Sequence, residues 1–132
     1  MIREVVVRGA TLPEAFREAA LALFALTVDP ARVRDREIRE VRAHGADHES
    51  LLAHWIGECC YVREIEGFGC CAIDFAVFEV EPAPGGERMR LHALLRGEVE
   101  PDGTTGLEPD TPRCFSLRQR EELYEVRFQV EV

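Results

Sequence analysis

Carboxylates are the residues of this sequence whose type and position suggest chemistry. Glu131 stands beside the chain-terminal carboxylate of Val132, so two anionic groups are close together. Carboxylates crowded in this way repel each other unless a cation or an arginine lies between them. A hard divalent ion, Ca²⁺ or Mg²⁺, prefers such oxygen ligands. The pair predicts either a divalent-cation site or a solvated chain end, and the spacing alone leaves both open.

Two aspartates are further candidate ligands because each lies beside a predicted helix. Asp29 precedes Pro30, where the first predicted helix ends, and Asp47 directly precedes the second. A carboxylate at a helix start accepts hydrogen bonds from the free N–H groups of the first turn. For Asp47 we favour this capping role over a metal-binding one.

The sequence carries no pattern of a known catalytic centre. It has no Gly-x-Ser-x-Gly elbow, no HExxH and no GxGxxG motif. None of the 16 basic residues is a lysine, which excludes Schiff-base chemistry and a P-loop lysine. The five cysteines lack CxxC spacing and predict buried free thiols rather than a zinc site. We therefore do not expect an enzyme.

Length and charge restrict the class of protein. The 132 residues suffice for a single domain, 1–132, with its own core. The formal net charge of −9 argues against binding a nucleic-acid backbone and favours docking on a basic protein. No apolar run approaches the roughly 18 residues that span a bilayer, and no signal peptide is visible, so we expect a cytoplasmic protein. The oligomeric state stays open.

The elements around these residues begin with a strand and a helix. Glu4–Arg8 is rich in β-branched residues, which predicts a strand that ends at Gly9. Thr11 and Glu14 have the spacing of a capping box. Apolar residues then recur every three or four positions from Leu12 to Phe24, which is typical of a helix with one buried face.

The same order of elements recurs further along the chain. A weaker strand is predicted from Arg36 to Ala43, and a second helix follows Asp47. The only tryptophan, Trp55, lies in the middle of the apolar stripe of this helix, which predicts the central helix of the core. The repeated strand, glycine turn and capped helix favour an internal duplication of Val5–Leu26 and Ile38–Tyr61.

Beyond the second helix the pattern changes to the alternation of strands. Cys71–Val77 and Met89–Leu95 predict a hairpin around a Pro/Gly turn. The Pro/Gly/Asp-rich loop Pro101–Pro112 then leads to a short strand, Arg113–Arg118, and a closing strand, Tyr124–Val132. Together, these helices and strands predict an α+β fold in which two amphipathic helices pack on a largely antiparallel, mixed sheet.

Four segments follow, in order and without large gaps, the motifs of one family. Thr11–Phe24 is similar to a "T-L-x-E-A-F … A-x-A-L-F" helix, with Asp29 at the expected place after it. Asp47–Tyr61 is similar to a "D-x-x-x-L-L-x-x-W-L-x-E-x-x-Y" helix. Gly97-Glu98 matches a Gly-Glu after the hairpin, and Arg113–Ser116 takes the place of a "K-A-x-T" strand. Together these segments make the sequence resemble the archeases.

The resemblance implies an accessory role. Archeases help the tRNA-splicing RNA ligase to load guanylate and turn over, and they are not known as catalysts by themselves. The resemblance also implies a divalent-metal site of acidic residues near the N-terminus and at a C-terminal Asp-Ile pair, where this chain has Glu131-Val132. We expect a Ca²⁺ or Mg²⁺ site formed by Glu131, Val132, Asp29 and Asp47.

One motif of the family has no counterpart in this sequence. The archease His-Thr-Ala-Asp motif is missing, and counting back from Gly9 its aspartate would fall at Ile2. Losing a carboxylate weakens a hard-cation site. Either Glu4, which lies on the same strand face as Ile2 but about 6–7 Å further along, substitutes for the aspartate, or the chain continues upstream, or the metal site has been lost. The alternative function is therefore a metal-free protein-interaction module of the same fold.

Overall fold

The computed structural model describes residues 1–132, which form six strands, two α-helices and one short 3₁₀ helix. The elements are β1 (Ile2–Gly9), α1 (Leu12–Ala25), the 3₁₀ helix (Pro30–Arg32), β2 (Glu37–Gly45), α2 (His48–Glu66), β3 (Phe68–Ala83), β4 (Gly86–Val99), β5 (Arg113–Arg120) and β6 (Leu123–Glu131). Neither α-helix combines the length and hydropathy that a bilayer crossing requires. The predicted α+β class is confirmed.

The strands form two three-stranded sheets that share one pattern. The first sheet has the order β1-β6-β5 and the second the order β2-β4-β3, and every strand pair is antiparallel. Strand β1, which precedes α1, pairs with β6, the second strand of the β5-β6 hairpin. Strand β2, which precedes α2, likewise pairs with β4, the second strand of the β3-β4 hairpin. The unit of β2, α2, β3 and β4 is therefore inserted between α1 and the β5-β6 hairpin of the other unit. The repeat seen in the sequence recurs as this nested arrangement.

The same glycine turn connects strand to helix in both units. Gly9 ends β1 and Gly45 ends β2, each two residues before the helix N-cap. A Cβ on Gly9 would lie 2.4 Å from the backbone nitrogen of Ala15, and one on Gly45 would lie 2.5 Å from that of Leu51. Because carbon atoms do not approach backbone so closely, only glycine allows each strand end to pack on the first turn of its helix.

The core is built around α2, as the apolar stripe predicts. Trp55 is fully buried within a cluster of 25 buried apolar residues that draws on both helices and both sheets. Its indole Nε1 donates a hydrogen bond of 2.9 Å to the carbonyl oxygen of Phe16, which ties α2 to α1. Glycine in the left-handed conformation ends α2 at Gly67, so the helix runs five residues past the predicted end at Tyr61.

The hairpin strands are longer than the alternation predicts. Both β3 and β4 continue outward to a two-residue turn at Pro84-Gly85. In β3 the register shifts between Cys70 and Ala72 and again between Phe75 and Val77. Two such irregularities break a period of two, which hides the full length of the strand from sequence reading.

Candidate functional site

Glu131 and Val132 lie at the open end of the first sheet. Glu131 is the last residue of β6 and pairs in register with Ile2 of β1. The amino group of Met1 donates to Glu131 Oε1 at 3.0 Å and to the oxygen of Val132 at 3.1 Å. The Glu131 side chain stays partly exposed, so one face of its carboxylate is accessible from solvent.

A polar groove of about 480 Å³ borders Glu131. Its other lining residues are Asp110, Thr111 and Arg113, and the N–H of Asp110 donates to the Glu131 carbonyl oxygen at 2.9 Å. Arg113 starts β5 at the place where the archease motif has a lysine. The groove thus combines two carboxylates with one guanidinium, an arrangement suited to polar contact with a partner or ligand.

Asp29 caps the 3₁₀ helix and holds the long loop. Its side-chain oxygen accepts from the N–H of Ala31 at 3.0 Å, and its own N–H donates to the carbonyl of Gly103 at 3.2 Å. The same loop reaches Glu131 through Asp110. The segment from Gly103 to Asp110 therefore connects the surroundings of Asp29 with the groove at Glu131.

Asp47 has the capping role that the sequence favours. Its carboxylate accepts from the Ser50 N–H at 2.7 Å, and Ser50 Oγ accepts from the Asp47 N–H at 3.1 Å. Hydrogen bonding to Ser50 holds the pKa of this carboxyl below its usual range. Asp29 and Asp47 cap different helices, and neither belongs to a group of three potential metal-ligand side chains.

The acidic residues present do not complete a hard-cation site. No three His, Cys, Asp or Glu side chains come close enough together to hold a metal ion. Calcium takes about six to eight oxygen ligands, and Glu131 with the Val132 carboxylate offers only part of that set. Ile2, to which the count back from Gly9 assigns the archease aspartate, lies directly opposite Glu131. An apolar side chain therefore occupies the place from which a second carboxylate would face Glu131.

Sequence reading missed a buried arginine beside the long loop. Arg63 of α2 is only 8% exposed; its Nη2 donates to Glu64 Oε1 at 3.2 Å, and its Nη1 has no hydrogen-bond partner. It lines a groove of about 530 Å³ between α2 and the loop 101–110. The burial of Arg63 could have been predicted from its spacing, because it follows Leu51, Trp55 and Cys59 at four-residue intervals on the buried face of α2.

Three of the five cysteines are buried free thiols, as predicted. Burial raises the pKa of Cys59 and Cys60, and it raises that of Cys70 to about 12. A thiol reacts as its thiolate, so these groups are inert at neutral pH. Cys71 is half-buried, and the prediction of a buried thiol is wrong for Cys114, which is exposed.

Comparison with known proteins identifies the family. The sequence matches the Archease protein family (MTH1598/TM1083) over residues 4–109. This chain belongs to the archease family. The archease match ends before β5, so Arg113 and Glu131 lie outside the matched segment.

Individual archeases share both sequence and fold with the chain. Protein archease of Pyrobaculum neutrophilum is 33% identical over 129 residues, which span 94% of this chain and 84% of that protein. Protein archease of Pyrococcus abyssi is 37% identical over 90 residues, which span 68% of this chain but only 60% of that protein. The solution structure of Methanobacterium thermoautotrophicum protein 1598 aligns with a TM-score of 0.72 at 20% identity, covering 99% of this chain and 92% of that one. This last likeness shows the fold.

Proposed function

We propose that this archease-family protein is a cytoplasmic accessory factor that activates a tRNA-splicing RNA ligase and promotes its guanylylation and turnover. The observation that carries the proposal is the groove at the end of the first sheet. There Glu131 and Arg113, at the positions of the family's C-terminal acid and its lysine, line one surface together. Their convergence supports a common role, because they lie on different strands, 18 residues apart in sequence.

The partner in this proposal is a protein with a basic surface. A net charge of −9 favours association with such a partner and disfavours direct contact with an RNA backbone. No nucleophile and base are paired in the groove at Glu131, so the proposed role is to assist the partner rather than to catalyse.

We also propose a divalent cation at the end of the first sheet. Glu131 and the Val132 carboxylate are the ligands we propose for Ca²⁺ or Mg²⁺. Asp29 and Asp47 are weaker proposals, because the oxygens of both already accept hydrogen bonds from helix N–H groups. Since the residues present do not complete a site, the proposed activation does not depend on an ion resident in this chain.

Guanylylation of the purified ligase by GTP, measured with and without this protein, tests the proposal. We expect the wild type to accelerate guanylylation and Glu131→Ala to lose most of that acceleration. Glu122→Ala is the matched control, because Glu122 is an exposed turn residue that forms no ion pair. No acceleration by the wild type, or equal acceleration by both variants, would contradict the proposed mechanism.

The alternative function is a metal-free protein-interaction module. The isoleucine opposite Glu131 and the lack of a three-ligand cluster favour it. A ligand that binds only the folded chain must raise its melting temperature. A calcium titration that leaves the melting temperature unchanged supports the alternative, and a saturable rise supports the cation site. The variant Ile2→Asp is the positive control, because it supplies the missing carboxylate opposite Glu131.

A further inference from the structure

A cluster of basic side chains occupies the outward face of the second sheet. Arg88, Arg90 and His92 alternate along the central strand β4, and Arg42 and His44 lie beside them on β2. We call these five residues the basic cluster. They are notable on a chain whose net charge is −9.

The basic cluster surrounds a cavity of about 640 Å³ that contains no carboxylate. The three remaining lining residues are apolar: Ala43, Val77 and Leu91. Cavities of roughly 300–1,000 Å³ accommodate small-molecule ligands. The volume and the one-sided charge of the lining together describe a place for a small anion.

Two of the arginines have no ionic partner within the protein. Arg90 is paired with Glu79 and Glu81 of the neighbouring strand β3. Arg42 and Arg88 form no salt bridge and are exposed at the cavity. Two guanidinium groups are therefore available to a ligand.

Basic residues of the cluster face each other across the β2–β4 strand pair. Arg42 lies directly opposite His92 in the strand register, and His44 lies opposite Arg90. Basic residues facing each other across a strand pair destabilise a sheet when both are charged. The Nε2 atom of His92 is buried and has no hydrogen-bond partner; the nearest carboxylate oxygen, of Glu40, is 3.7 Å away. An anion in the cavity would balance the unpaired charges of Arg42 and Arg88 and offer acceptors to their N–H groups.

We propose that the basic cluster is a binding site for the phosphate group of a small molecule. A phosphate monoester carries up to two negative charges and presents several acceptor oxygens, which matches two free guanidiniums and neighbouring imidazoles better than one carboxylate does. A long polyanion such as RNA would be repelled by the acidic remainder of the surface, whereas a single phosphate is small enough to lie between Arg42 and Arg88. The site is on the second sheet, and the groove at Glu131 is on the first, so the proposal does not rest on ligase activation.

Nuclear magnetic resonance titration of the full chain tests the assignment. The probes are inorganic phosphate and adenosine 5′-monophosphate, each added at an ionic strength held constant with sodium chloride. We expect saturable shifts of backbone amide signals confined to β2, β4 and the facing part of β3. Equal affinity for the two probes identifies free phosphate as a sufficient ligand, and tighter binding of the nucleotide identifies a larger phosphorylated molecule.

Variants distinguish a specific phosphate site from non-specific electrostatic attraction of the anion. Arg42→Gln and Arg88→Gln should each weaken binding about fivefold or more, because each removes a charge-assisted hydrogen bond. Arg34→Gln removes the same charge from an exposed position outside the cavity and should leave the affinity unchanged. All three positions are exposed, so each variant should remain folded and its amide spectrum without ligand should resemble that of the wild type.

Three results would overturn the proposal. The first is the absence of saturable shifts with either probe. The second is an equal loss of affinity in Arg34→Gln and the two cavity variants. The third is saturable binding of a single-stranded RNA under conditions in which neither small probe binds, since that would assign the basic cluster to a polymer.

Discussion

A network of alternating charges connects β1 and β6, the first and last strands in the sequence. Glu125 of β6 accepts from Arg8 at 3.0 Å and from Arg127 at 2.8 Å, and Arg127 also donates to Glu4 at 3.0 Å. Hydrogen bonding from Arg127, with a smaller contribution from Arg8, lowers the pKa of the Glu125 carboxyl. The Glu125 side chain is only 5% exposed, so its two guanidinium partners replace the water that it loses.

The depressed pKa of Glu125 makes stability depend on pH in a defined direction. A carboxyl whose folded pKa lies below its unfolded value of about 4.3 contributes stability above that value and loses it as the pH falls through the folded pKa. We expect Glu125→Gln to be less stable than the wild type at pH 7, with a difference that shrinks as the pH falls below the unfolded value and through the lowered folded pKa. Urea unfolding at several pH values measures this difference.

The control for this prediction is a glutamate without partners. Glu122→Gln, at the turn between β5 and β6, should unfold like the wild type at every pH. If the difference between Glu125→Gln and the wild type does not shrink as the pH is lowered into the acid unfolding range, the ion pairs are not the cause of the stabilisation.

At the scale of elements, Gly97 fixes how closely β3 and β4 approach. A Cβ on Gly97 would lie 1.8 Å from the carbonyl oxygen of Gly69 and 3.0 Å from the Cα of Cys70. These are backbone atoms of the paired strand, so no side-chain rotation relieves the clash. The contact requires glycine at position 97, in the Gly97-Glu98 pair that carries part of the resemblance to archeases.

We expect Gly97→Ala to destabilise the fold by about 3 kcal/mol or more, since the backbone of β3 must move. Gly57→Ala is the matched control: nothing lies within 4 Å of its added Cβ, and it is in the exposed middle of α2. That control should gain about 0.5–1 kcal/mol from the higher helix propensity of alanine. Denaturant midpoints measure both, and similar values for the two variants would contradict the steric argument.

The local features of these elements could be predicted from sequence, and the contacts between distant segments could not. The cap at Asp47 and the stripe through Trp55 depend on residues within a few positions, so the helix starts are confirmed. The pairing of Ile2 with Glu131 joins residues at the two ends of the chain, and no periodicity encodes it. For the same reason, the sequence named Glu131 as a candidate but could not show that an isoleucine faces it or that Asp110 joins it.

At the scale of the whole molecule, the nested units share one core rather than keeping one each. Trp55 of the inner unit donates its hydrogen bond to Phe16 of the outer unit, and the ring of Phe16 lies 5.1 Å from that of Phe78 of the inner unit. The apolar cluster also includes Val126, Phe128 and Val130 of β6. Because the inner unit interrupts the outer one in sequence, the outer unit cannot complete its sheet until the chain has passed through the inner unit.

This shared core predicts that residues 1–132 unfold as one cooperative domain. Tryptophan fluorescence reports the interface between the units through Trp55, and far-ultraviolet circular dichroism reports all the helices and strands. We expect the two signals to give the same thermal midpoint, and the calorimetric and van't Hoff enthalpies to agree. Trp55→Phe removes the hydrogen bond to Phe16 and some buried volume, and should lower stability by about 2–3 kcal/mol while keeping a single transition. Two resolved transitions in the wild type would show instead that the inner unit folds independently, and the nested chain would then be two domains.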